Sequence, residues 1–366
     1  MRIGVDGRSL VAGGRGVAHY AAGMIGALAE AGPHAELRVL LPRGAALPAD
    51  LGRLDNVTGV GHRAPSRVLH GSAALARRPR LERLAGPVDV VWLPAPAPVA
   101  VGAGTPLALS LLDLGFAERP ADFTAYERAW HRLARIGALA RRAQRVVAIT
   151  RDTARRARAR YGLDGDRVVV VAAGPGDPGP AAGPEHVTAV RARHGVPERY
   201  FLFVGALEPR KAVDRLVAAH GRARAAGLDA ALVLAGAGRL AARLAGPGVH
   251  RLGRVDRADK AALYAGALAV VLPSWLEGYG YPPLEGYAHG VPAIASDLPA
   301  LRETAAAGAR FVPAGDEPAL AAALAELAGD AALRRTLAER GAAELAGRSW
   351  PACGTALLAV LEAAAA

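Results

Sequence analysis

Three loops in this sequence combine glycine with charged side chains, a combination that suits a phosphorylated ligand. Glycine lets the backbone approach an anion, and the N–H groups at a helix N-terminus can bind it. The first loop reads GGRG at residues 13–16 and follows the first predicted strand. It lacks the third glycine of the dinucleotide-binding fingerprint. This loop alone indicates an anion site only weakly, and a structural glycine turn explains it equally well.

The second loop, VGALEPRK at residues 204–211, places two cations after a buried predicted strand. Lys211 is unusual in this chain, because Lys211 and Lys260 are its only lysines although lysine and arginine together number 45. A compact, mobile ammonium suits a phosphate oxygen. Together with the neighbouring Arg210, Lys211 therefore predicts a phosphate-binding turn.

The third loop, PSWLEGYGYPPLE at residues 273–285, places a carboxylate on each side of two glycines. Glu277 would lie in the loop, and Glu285 about one turn into the helix that a proline would start. Between them, Gly278 and Gly280 leave bare backbone N–H groups. A carboxylate can accept two hydroxyls at once. Two carboxylates that flank an anion cradle suit a nucleotide sugar, whereas a surface loop of solvated acids would not need so many glycines, prolines and aromatic residues.

The elements that must position these loops follow from the alternation of short β-branched runs with stretches rich in Ala, Arg and Leu. This alternation is typical of parallel α/β folds. The predicted strands of the first half are residues 2–6, 36–41, 88–93, 107–112, 145–149 and 167–172. The predicted helices of the first half are residues 16–31, 66–84, 121–143 and 151–161. The second half repeats the pattern, with helices between and after its predicted strands at residues 200–205, 230–235, 269–272 and 292–295.

A run dense in proline and glycine at residues 174–184 separates the two halves, and no packed element tolerates that density. We therefore predict a first Rossmann-like domain at residues 1–176, a linker at 177–198, a second Rossmann-like domain at 199–346 and a C-terminal helix at 347–366 that returns to the first domain. Two open parallel sheets joined by a hinge leave a cleft between them. Ligands of such sheets bind beyond the carboxyl ends of the strands.

The composition excludes several other classes of protein. Of the 366 residues, 21% are charged and 52% hydrophobic, which is typical of a globular protein. Cys353 is the only cysteine, so no internal disulfide and no multi-cysteine metal site is expected, and a cytoplasmic location fits. The start of the chain predicts a strand and not a signal peptide. The uncharged residues 90–112 are interrupted by proline and glycine, so they predict strand, loop and strand in place of a membrane span.

The net charge of +12 comes largely from one segment. Between Arg128 and Arg160 there are eleven arginines and one acid, Asp152. Such a block can attract nucleic acid, lipid headgroups or an anionic acceptor, and a solvated pair of helices explains it as well. No aromatic platform or zinc-finger spacing accompanies the arginines, so nucleic acid is not an expected partner. A peripheral contact with an anionic membrane at its inner face is an expectation of this block.

Residues 204–211, the spacing of Glu277 and Glu285, and GVPAIASD at residues 290–297 resemble the retaining glycosyltransferases of family 4. The resemblance implies the GT-B architecture, an α/β fold of two Rossmann-like domains whose parallel sheets face each other across a cleft. The LEPRK form at the end of the first segment is similar to the bacterial mannosyltransferase and rhamnosyltransferase branch. The resemblance covers nearly the whole chain and is most specific at residues 200–303.

The resemblance also implies a role for each matching residue. Lys211, helped by Arg210, would hold the donor diphosphate, Glu277 would bind hydroxyls of the transferred sugar, and Glu285 would bind the nucleotide ribose. Asp113 is the N-terminal carboxylate best suited to orient the acceptor. Further implied donor contacts are Gly14, Arg15 and Gly16 in the first domain, Gly205 and Glu208 in the cationic turn, Arg254 and Val255 in a loop that receives the base, and Gly278, Tyr279, Gly280 and Tyr281 through their backbone.

The implied reaction moves a hexose, mannose-like by analogy, from a nucleoside-diphosphate sugar in which it is linked to GDP or UDP. The acceptor would be a hydroxyl of a glycan, a lipid or a small molecule, and the anomeric configuration would be retained. Cations and oriented N–H groups would stabilise the leaving diphosphate, so neither a metal nor a cofactor is expected. Residues with metal-ligand spacing do not occur in the sequence.

One departure from the family opens an alternative. Leu112 stands before Asp113, at the position where the family usually has a histidine that contacts the donor sugar. His19 is a candidate substitute, although it is equally well explained as an ordinary helix residue. A homologue that binds a nucleotide sugar without transferring it, or that activates a partner enzyme, is therefore the second hypothesis. A two-domain oxidoreductase is the third, but the chain lacks the full glycine fingerprint and its ribose-binding acid.

Overall fold

The computed structural model describes residues 1–10 and 16–366 and divides the chain into two compact units. The first unit consists of Met1–Gly174 together with Ser349–Ala366, and the second of Pro175–Arg348. The sequence analysis places the corresponding boundaries after residues 176 and 346.

The described part of the first unit forms one parallel sheet. Its strands in chain order are β1 (Arg2–Asp6), β2 (Glu36–Leu40), β3 (Val57–Val60), β4 (Val90–Leu93), β5 (Leu107–Leu111), β6 (Arg145–Ala148) and β7 (Val168–Val170). They are arranged in the order β3-β2-β1-β4-β5-β6-β7. Central strands are buried on both faces, as with Ile3, Val91 and Leu109, because helices cover both sides of a parallel sheet.

The helices of this unit follow the predicted pattern with two interruptions. They are α1 (Gly16–Ala31), α2 (Ser66–Ala76), α3 (Leu81–Ala85), α4 (Gly115–Glu118), α5 (Ala125–Ala134), α6 (Ile136–Arg142) and α7 (Arg151–Tyr161). The helix predicted at 66–84 is two helices, because Pro79 cannot continue a helix and Arg77 before it is left-handed, with φ of 53°. The helix predicted at 121–143 likewise breaks at Arg135, whose φ is 48°.

Residues 175–348, all of which the structure describes, form a second parallel sheet in the order β10-β9-β8-β11-β12-β13. Its strands are β8 (Tyr200–Val204), β9 (Ala231–Ala235), β10 (Val249–Gly253), β11 (Ala269–Leu272), β12 (Ala293–Ser296) and β13 (Ala309–Val312). Its helices are α8 (Pro184–His194), α9 (Val213–Ala225), α10 (Arg257–Ala265), α11 (Tyr281–Tyr287), α12 (Pro299–Thr304), α13 (Glu317–Gly329) and α14 (Ala331–Ala346).

The last helix, α15 (Trp350–Ala365), belongs to the first unit. It packs closely on α1, because a Cβ placed on Gly354 would lie 2.1 Å from the carbonyl oxygen of Ala27. Glycine at this position therefore allows the two helix backbones to approach each other.

Helix α8 differs from the predicted linker at 177–198. Pro184 starts the helix, and Gly195 ends it in the left-handed conformation with φ of 62°. Val190 is fully buried in a cluster with Leu263 and Tyr264 of α10. The dense proline and glycine run stops at Pro184, where α8 begins. The predicted linker is therefore irregular only before α8 and in the short stretch between α8 and β8.

Among the described residues, no helix is both long enough and apolar enough to cross a membrane. The uncharged residues 90–112 contain β4, a loop and β5, as the proline and glycine positions indicate.

Candidate donor site

Two of the three loops that the sequence singles out follow neighbouring strands of the second sheet. Strand β8 lies beside β11, and the chain order reverses between them, with β9 and β10 on one side and β12 and β13 on the other. A crevice forms at such a reversal, beyond the carboxyl ends of the strands, and ligands of open α/β sheets bind there.

The loop after β8 is held by the loop after β9. Gly205 donates its N–H to the Ala235 carbonyl at 3.0 Å, and Leu207 donates to Ala237 at 3.1 Å. A Cβ on Gly236 would lie 1.8 Å from the Gly205 oxygen, so the two backbones can pass only because residue 236 is glycine. The cationic turn that follows thus begins from a fixed backbone.

Lys211 reaches across to the loop after β11. Its Nζ donates to Glu277 Oε1 at 2.5 Å, and Ser274 Oγ donates to the same oxygen at 2.6 Å. The Lys211 side chain is 13% exposed and that of Glu277 is 7% exposed. The backbone links the loops as well, since the Trp275 N–H donates to the Arg210 carbonyl at 3.0 Å. Lys211 and Glu277, which are 66 residues apart in the sequence, therefore lie in one site.

The cations of this site keep Glu277 ionised. Burial alone would raise the pKa of Glu277, but the charges of Lys211 and Arg210, with the hydrogen bonds from Lys211 and Ser274, outweigh burial and lower that pKa. Arg210 in turn donates from Nε to Glu208 Oε2 at 3.3 Å. The site therefore presents an ionised carboxylate beside two cations.

The turn between the two glutamates is rigid. Gly280 has φ of 90°, and a Cβ there would lie 2.4 Å from Leu301 Cδ2, so only glycine fits at this position. The Tyr279 carbonyl accepts a hydrogen bond from Thr304 Oγ1 at 2.5 Å, and its phenol oxygen accepts one from Arg348 at 3.3 Å. The ring of Tyr281 lies 5.0 Å from that of Tyr279. These contacts fix the backbone that follows Gly278.

Glu285 is buried within α11 and is held from three directions. Tyr264 donates its hydroxyl to Oε2 at 2.7 Å, whereas Oε1 receives the Asp177 N–H at 3.2 Å and Lys260 Nζ at 3.4 Å. Burial, and then the neighbouring Glu285 charge, raise the pKa of Tyr264 well above its ordinary value, so its phenol stays a donor. The sequence analysis did not assign a role to Lys260, although its rarity was a signal equal to that of Lys211.

The loop predicted to receive a base follows β10. Gly253 ends this strand with φ of 70°, and the Gly236 N–H donates to its carbonyl at 2.6 Å. Arg254 is exposed, and Val255 packs against a hydrophobic cluster of the second unit. Asp256 caps α10 by accepting the Asp259 N–H at 2.8 Å. This loop therefore lies at the same carboxyl edge of the sheet as the two glutamate-bearing segments.

The sequence also predicts site residues in the first unit. Gly14 and Arg15 lie outside the described residues, and Gly16 begins α1. Asp113 follows β5, is half-buried, and accepts the N–H of Gly115 at 2.8 Å. The ring of His19 lies edge-on to Trp350 at 5.8 Å. Asp113 thus contributes to the start of α4.

Several arginines of the basic block hold backbone carbonyls or acids. Arg158 donates to the carbonyls of Gly165 and Val168 at 2.8 and 2.7 Å. Arg155 and Arg156 both pair with Asp152. The block also has a solvent-facing set, which consists of Arg132, Arg135, Arg141, Arg151, Arg155 and Arg160. The described residues contain no group of three or more His, Cys, Asp or Glu side chains that could hold a metal ion.

Two Rossmann-like units, each with a parallel sheet, define the GT-B class of fold. A solved structure with this fold is that of Anabaena Alr3699/HepE in complex with UDP and glucose, which is similar at a TM-score of 0.70, with 18% identity and coverage of 98% of each chain. Residues 198–330 match the family model described as "Glycosyl transferases group 1", and residues 14–175 match "Glycosyltransferase Family 4". This chain belongs to glycosyltransferase family 4.

Curated relatives carry sugar-transferase names. The chain is 30% identical over 166 residues to the O-antigen chain mannosyltransferase B of Escherichia coli, a match that covers 43% of this chain and 44% of that protein. It is 40% identical over 109 residues to the D-rhamnosyltransferase WbpZ of Pseudomonas aeruginosa, which covers 27% of each chain. These matches span less than half the length of either relative.

Proposed function

We propose that this protein transfers a hexosyl group, mannose-like, from a GDP- or UDP-linked sugar to an acceptor hydroxyl with retention of anomeric configuration. One observation carries the proposal: the buried pair of Lys211 and Glu277 joins the loops that follow β8 and β11, at the reversal of the strand order. The mannosyltransferase and rhamnosyltransferase names of the relatives support sugar transfer, and the UDP and glucose bound by the Anabaena protein support a nucleotide-sugar donor.

The cations would act on the leaving group. Transfer breaks the bond between the anomeric carbon and the diphosphate oxygen, and the electron pair of that bond stays on the diphosphate. Lys211 carries three N–H donors, so it can hold Glu277 and a phosphate oxygen at the same time, with Arg210 beside it. A donor preorganised where negative charge develops stabilises the transition state without a metal or a further cofactor.

Glu277 would orient the transferred sugar. Its hydrogen bonds from Lys211 and Ser274 both end on Oε1. We assign Oε2 to the hydroxyls of the hexose, since an ionised carboxylate oxygen accepts two hydrogen bonds. The rigid turn from Gly278 to Tyr281 would direct backbone N–H groups toward the same ligand.

Glu285 would bind the ribose of the nucleotide. A carboxylate at the carboxyl edge of a Rossmann-like sheet can accept the vicinal hydroxyls of a ribose. Arg254 and Val255, after β10, would lie near the base. In the first unit, Asp113 would orient the acceptor hydroxyl, because it too lies just beyond the carboxyl end of a strand.

Substitution of the central pair tests the proposal. Lys211→Ala is expected to lower the rate of sugar transfer by about 10²- to 10³-fold, the usual loss when one stabilising donor is removed. Glu277→Ala is expected to lower this rate as well, because it removes the carboxylate that holds Lys211. Arg310→Ala is the matched control, because Arg310 is a cation of the same unit that pairs with the exposed Glu326. Transfer and hydrolysis of GDP-mannose, UDP-glucose, UDP-N-acetylglucosamine and dTDP-rhamnose give the readout. Wild-type rates in both variants would overturn the assignment.

Leu112 favours a second candidate, a homologue that binds the nucleotide sugar without transferring it, or that activates a partner enzyme. This residue is half-buried directly before Asp113. The same panel of donors separates the candidates. Tight binding of a nucleotide sugar with neither transfer nor slow hydrolysis would favour the binding protein, whereas turnover with any donor would exclude it.

A further inference from the structure

Each of the two lysines of the chain lies beside one of the two glutamates. Lys211 pairs with Glu277, and Lys260 pairs with Glu285. All other cations among the 45 basic residues are arginines. Because arginine occupies every other basic position, it is informative that each lysine contacts one of the two buried carboxylates. Lys260, unlike Lys211, has no role in the proposed function.

Lys260 lies on α10 and is anchored on the segment that opens the second unit. Its Nζ donates to the Asp177 carbonyl at 2.5 Å and to Glu285 Oε1 at 3.4 Å, while the Asp177 N–H donates to the same Oε1 at 3.2 Å. The side chains of Lys260 and Glu285 are 18% and 9% exposed. The ammonium is therefore fixed beside the carboxylate by a backbone atom and not by the carboxylate itself.

A single ammonium suits this position better than a guanidinium would. Lys260 divides its donors between a carbonyl and a carboxylate, which a compact ammonium can do in any direction. Arginine is used one turn earlier, where Arg257 binds both oxygens of Asp177 through Nε at 2.7 and 2.9 Å. A buried carboxylate without a nearby cation is costly. Lys260 supplies that cation.

We propose that Lys260 is a positioning residue for the nucleotide ribose and acts through Glu285, an inference that rests on the proposed function. Glu285 Oε2 accepts one hydrogen bond, from Tyr264, so it can accept another from a ribose hydroxyl. The second hydroxyl would share Oε1, where the bond to Lys260 is long and easily displaced. Before the ribose arrives, the ammonium would hold the carboxylate through this bond, and afterwards, still anchored on the Asp177 carbonyl, it would hold the carboxylate through its charge.

The test compares ligands that contain or lack the ribose hydroxyl. The probes are UDP, GDP, their 2′-deoxyribose forms and inorganic pyrophosphate, with dissociation constants measured by calorimetry. In Lys260→Met, the affinity for the preferred ribonucleotide is expected to fall at least about tenfold, as a partly buried carboxylate loses its partner. The preference over the deoxy form is expected to shrink toward one, and the affinity for pyrophosphate to stay unchanged.

Two further variants separate positioning from folding. Lys260→Arg keeps the charge and is expected to recover part of the ribose preference. Arg310→Met removes a cation of the same unit that pairs with Glu326 and not with Asp177 or Glu285, and is expected to keep the preference. An equal loss of all three kinds of ligand in Lys260→Met would show a general structural role and overturn the proposal. An unchanged ribose preference in Lys260→Met would overturn it as well.

Failure of this inference differs from failure of the proposed function. If the wild-type protein binds neither UDP nor GDP, the proposed function fails. If it binds one of them without a preference for the ribose hydroxyl, the role of Glu285 fails and that of Lys260 with it. If it shows the preference and Lys260→Met keeps it, only the present inference fails.

Discussion

Each unit buries an ion pair at the carboxyl edge of its sheet, and the two pairs are built differently. In the first unit, Arg8 binds both carboxylate oxygens of Asp6, the last residue of β1, at 2.7 and 2.8 Å. In the second, Lys211 and Ser274 both bind one oxygen of Glu277. The first pair is local and uses the whole carboxylate, whereas the second joins two distant loops through one oxygen. We infer a structural use of the buried ion pair in the first unit, and we propose a ligand-binding use of the pair in the second.

The largest expected effect separates these two uses. Asp6→Asn leaves the Arg8 charge buried without its carboxylate, so the free energy of unfolding of the first unit is expected to fall by about 3 kcal/mol. Nucleotide affinity is expected to stay at the wild-type value. Denaturant unfolding and UDP or GDP titration check the two expectations. Loss of nucleotide affinity in folded Asp6→Asn protein would break the distinction between the pairs.

A backbone substitution tests whether the cationic turn depends on the loop after β9. Gly236→Ala forces a Cβ toward the Gly205 carbonyl at a φ of 156°, and is expected to destabilise the second unit by about 2 kcal/mol and to weaken nucleotide binding. Gly221→Ala is the control, because this glycine is exposed in α9 with open space around it. Alanine there is expected to stabilise the helix by about 0.5–1 kcal/mol. Equal effects of the two substitutions would contradict the packing argument.

The pH dependence of stability tests the charge of Glu277. Its neighbours lower its pKa below the ordinary value of 4.5, and the pKa of Asp6 is likewise below 3.8 because Arg8 outweighs burial. A lowered carboxyl pKa adds stability above the ordinary pKa, and this stability is lost as the pH falls through the folded-state value. Stability from these groups is thus expected to be constant between pH 7 and 5 and to decline at lower pH. In Glu277→Gln the decline should be shallower for the second unit only, and an unchanged profile would contradict the lowered pKa.

The smallest expected effect per residue concerns the solvent-facing arginines of the first unit. We propose that they meet an anionic membrane surface or a charged acceptor, at about 1 kcal/mol for each arginine near the surface. Vesicles containing anionic lipid should bind the protein more strongly than neutral vesicles, and Arg132→Gln, Arg141→Gln and Arg160→Gln together should reduce the difference. Added salt should reduce it too. Equal binding to both kinds of vesicle would show that these arginines do not select an anionic membrane.

The sequence predicts the interior of both sheets better than their edges. Strand β11 and helices α1 and α7 have the predicted bounds, because the apolar run of β11 and the glycine or threonine residues at the ends of the two helices are local signals. The strands that the sequence analysis missed, β3, β10 and β13, all lie at a sheet edge. An edge strand is short and partly exposed, so polar residues interrupt its apolar pattern, as Arg251 does in β10. The αL residue Arg135 that splits a predicted helix has no such local signal either.

For the donor site, residue type and position after a strand were sufficient to select Lys211, Glu277 and Glu285. Their contacts depend on the pairing of β8 with β11, which joins loops that are distant in sequence. The same reason explains why Lys260 and Asp177 escaped the sequence analysis: their relation to Glu285 arises only when α10, α11 and the segment after residue 175 pack together.

A crystal structure with UDP or GDP bound tests the central claim most directly. A diphosphate oxygen is expected within hydrogen-bond distance of Lys211 Nζ, and the ribose hydroxyls are expected to contact Glu285. A nucleotide bound away from the loops after β8 and β11, with Lys211 contacting no phosphate oxygen, would contradict that claim.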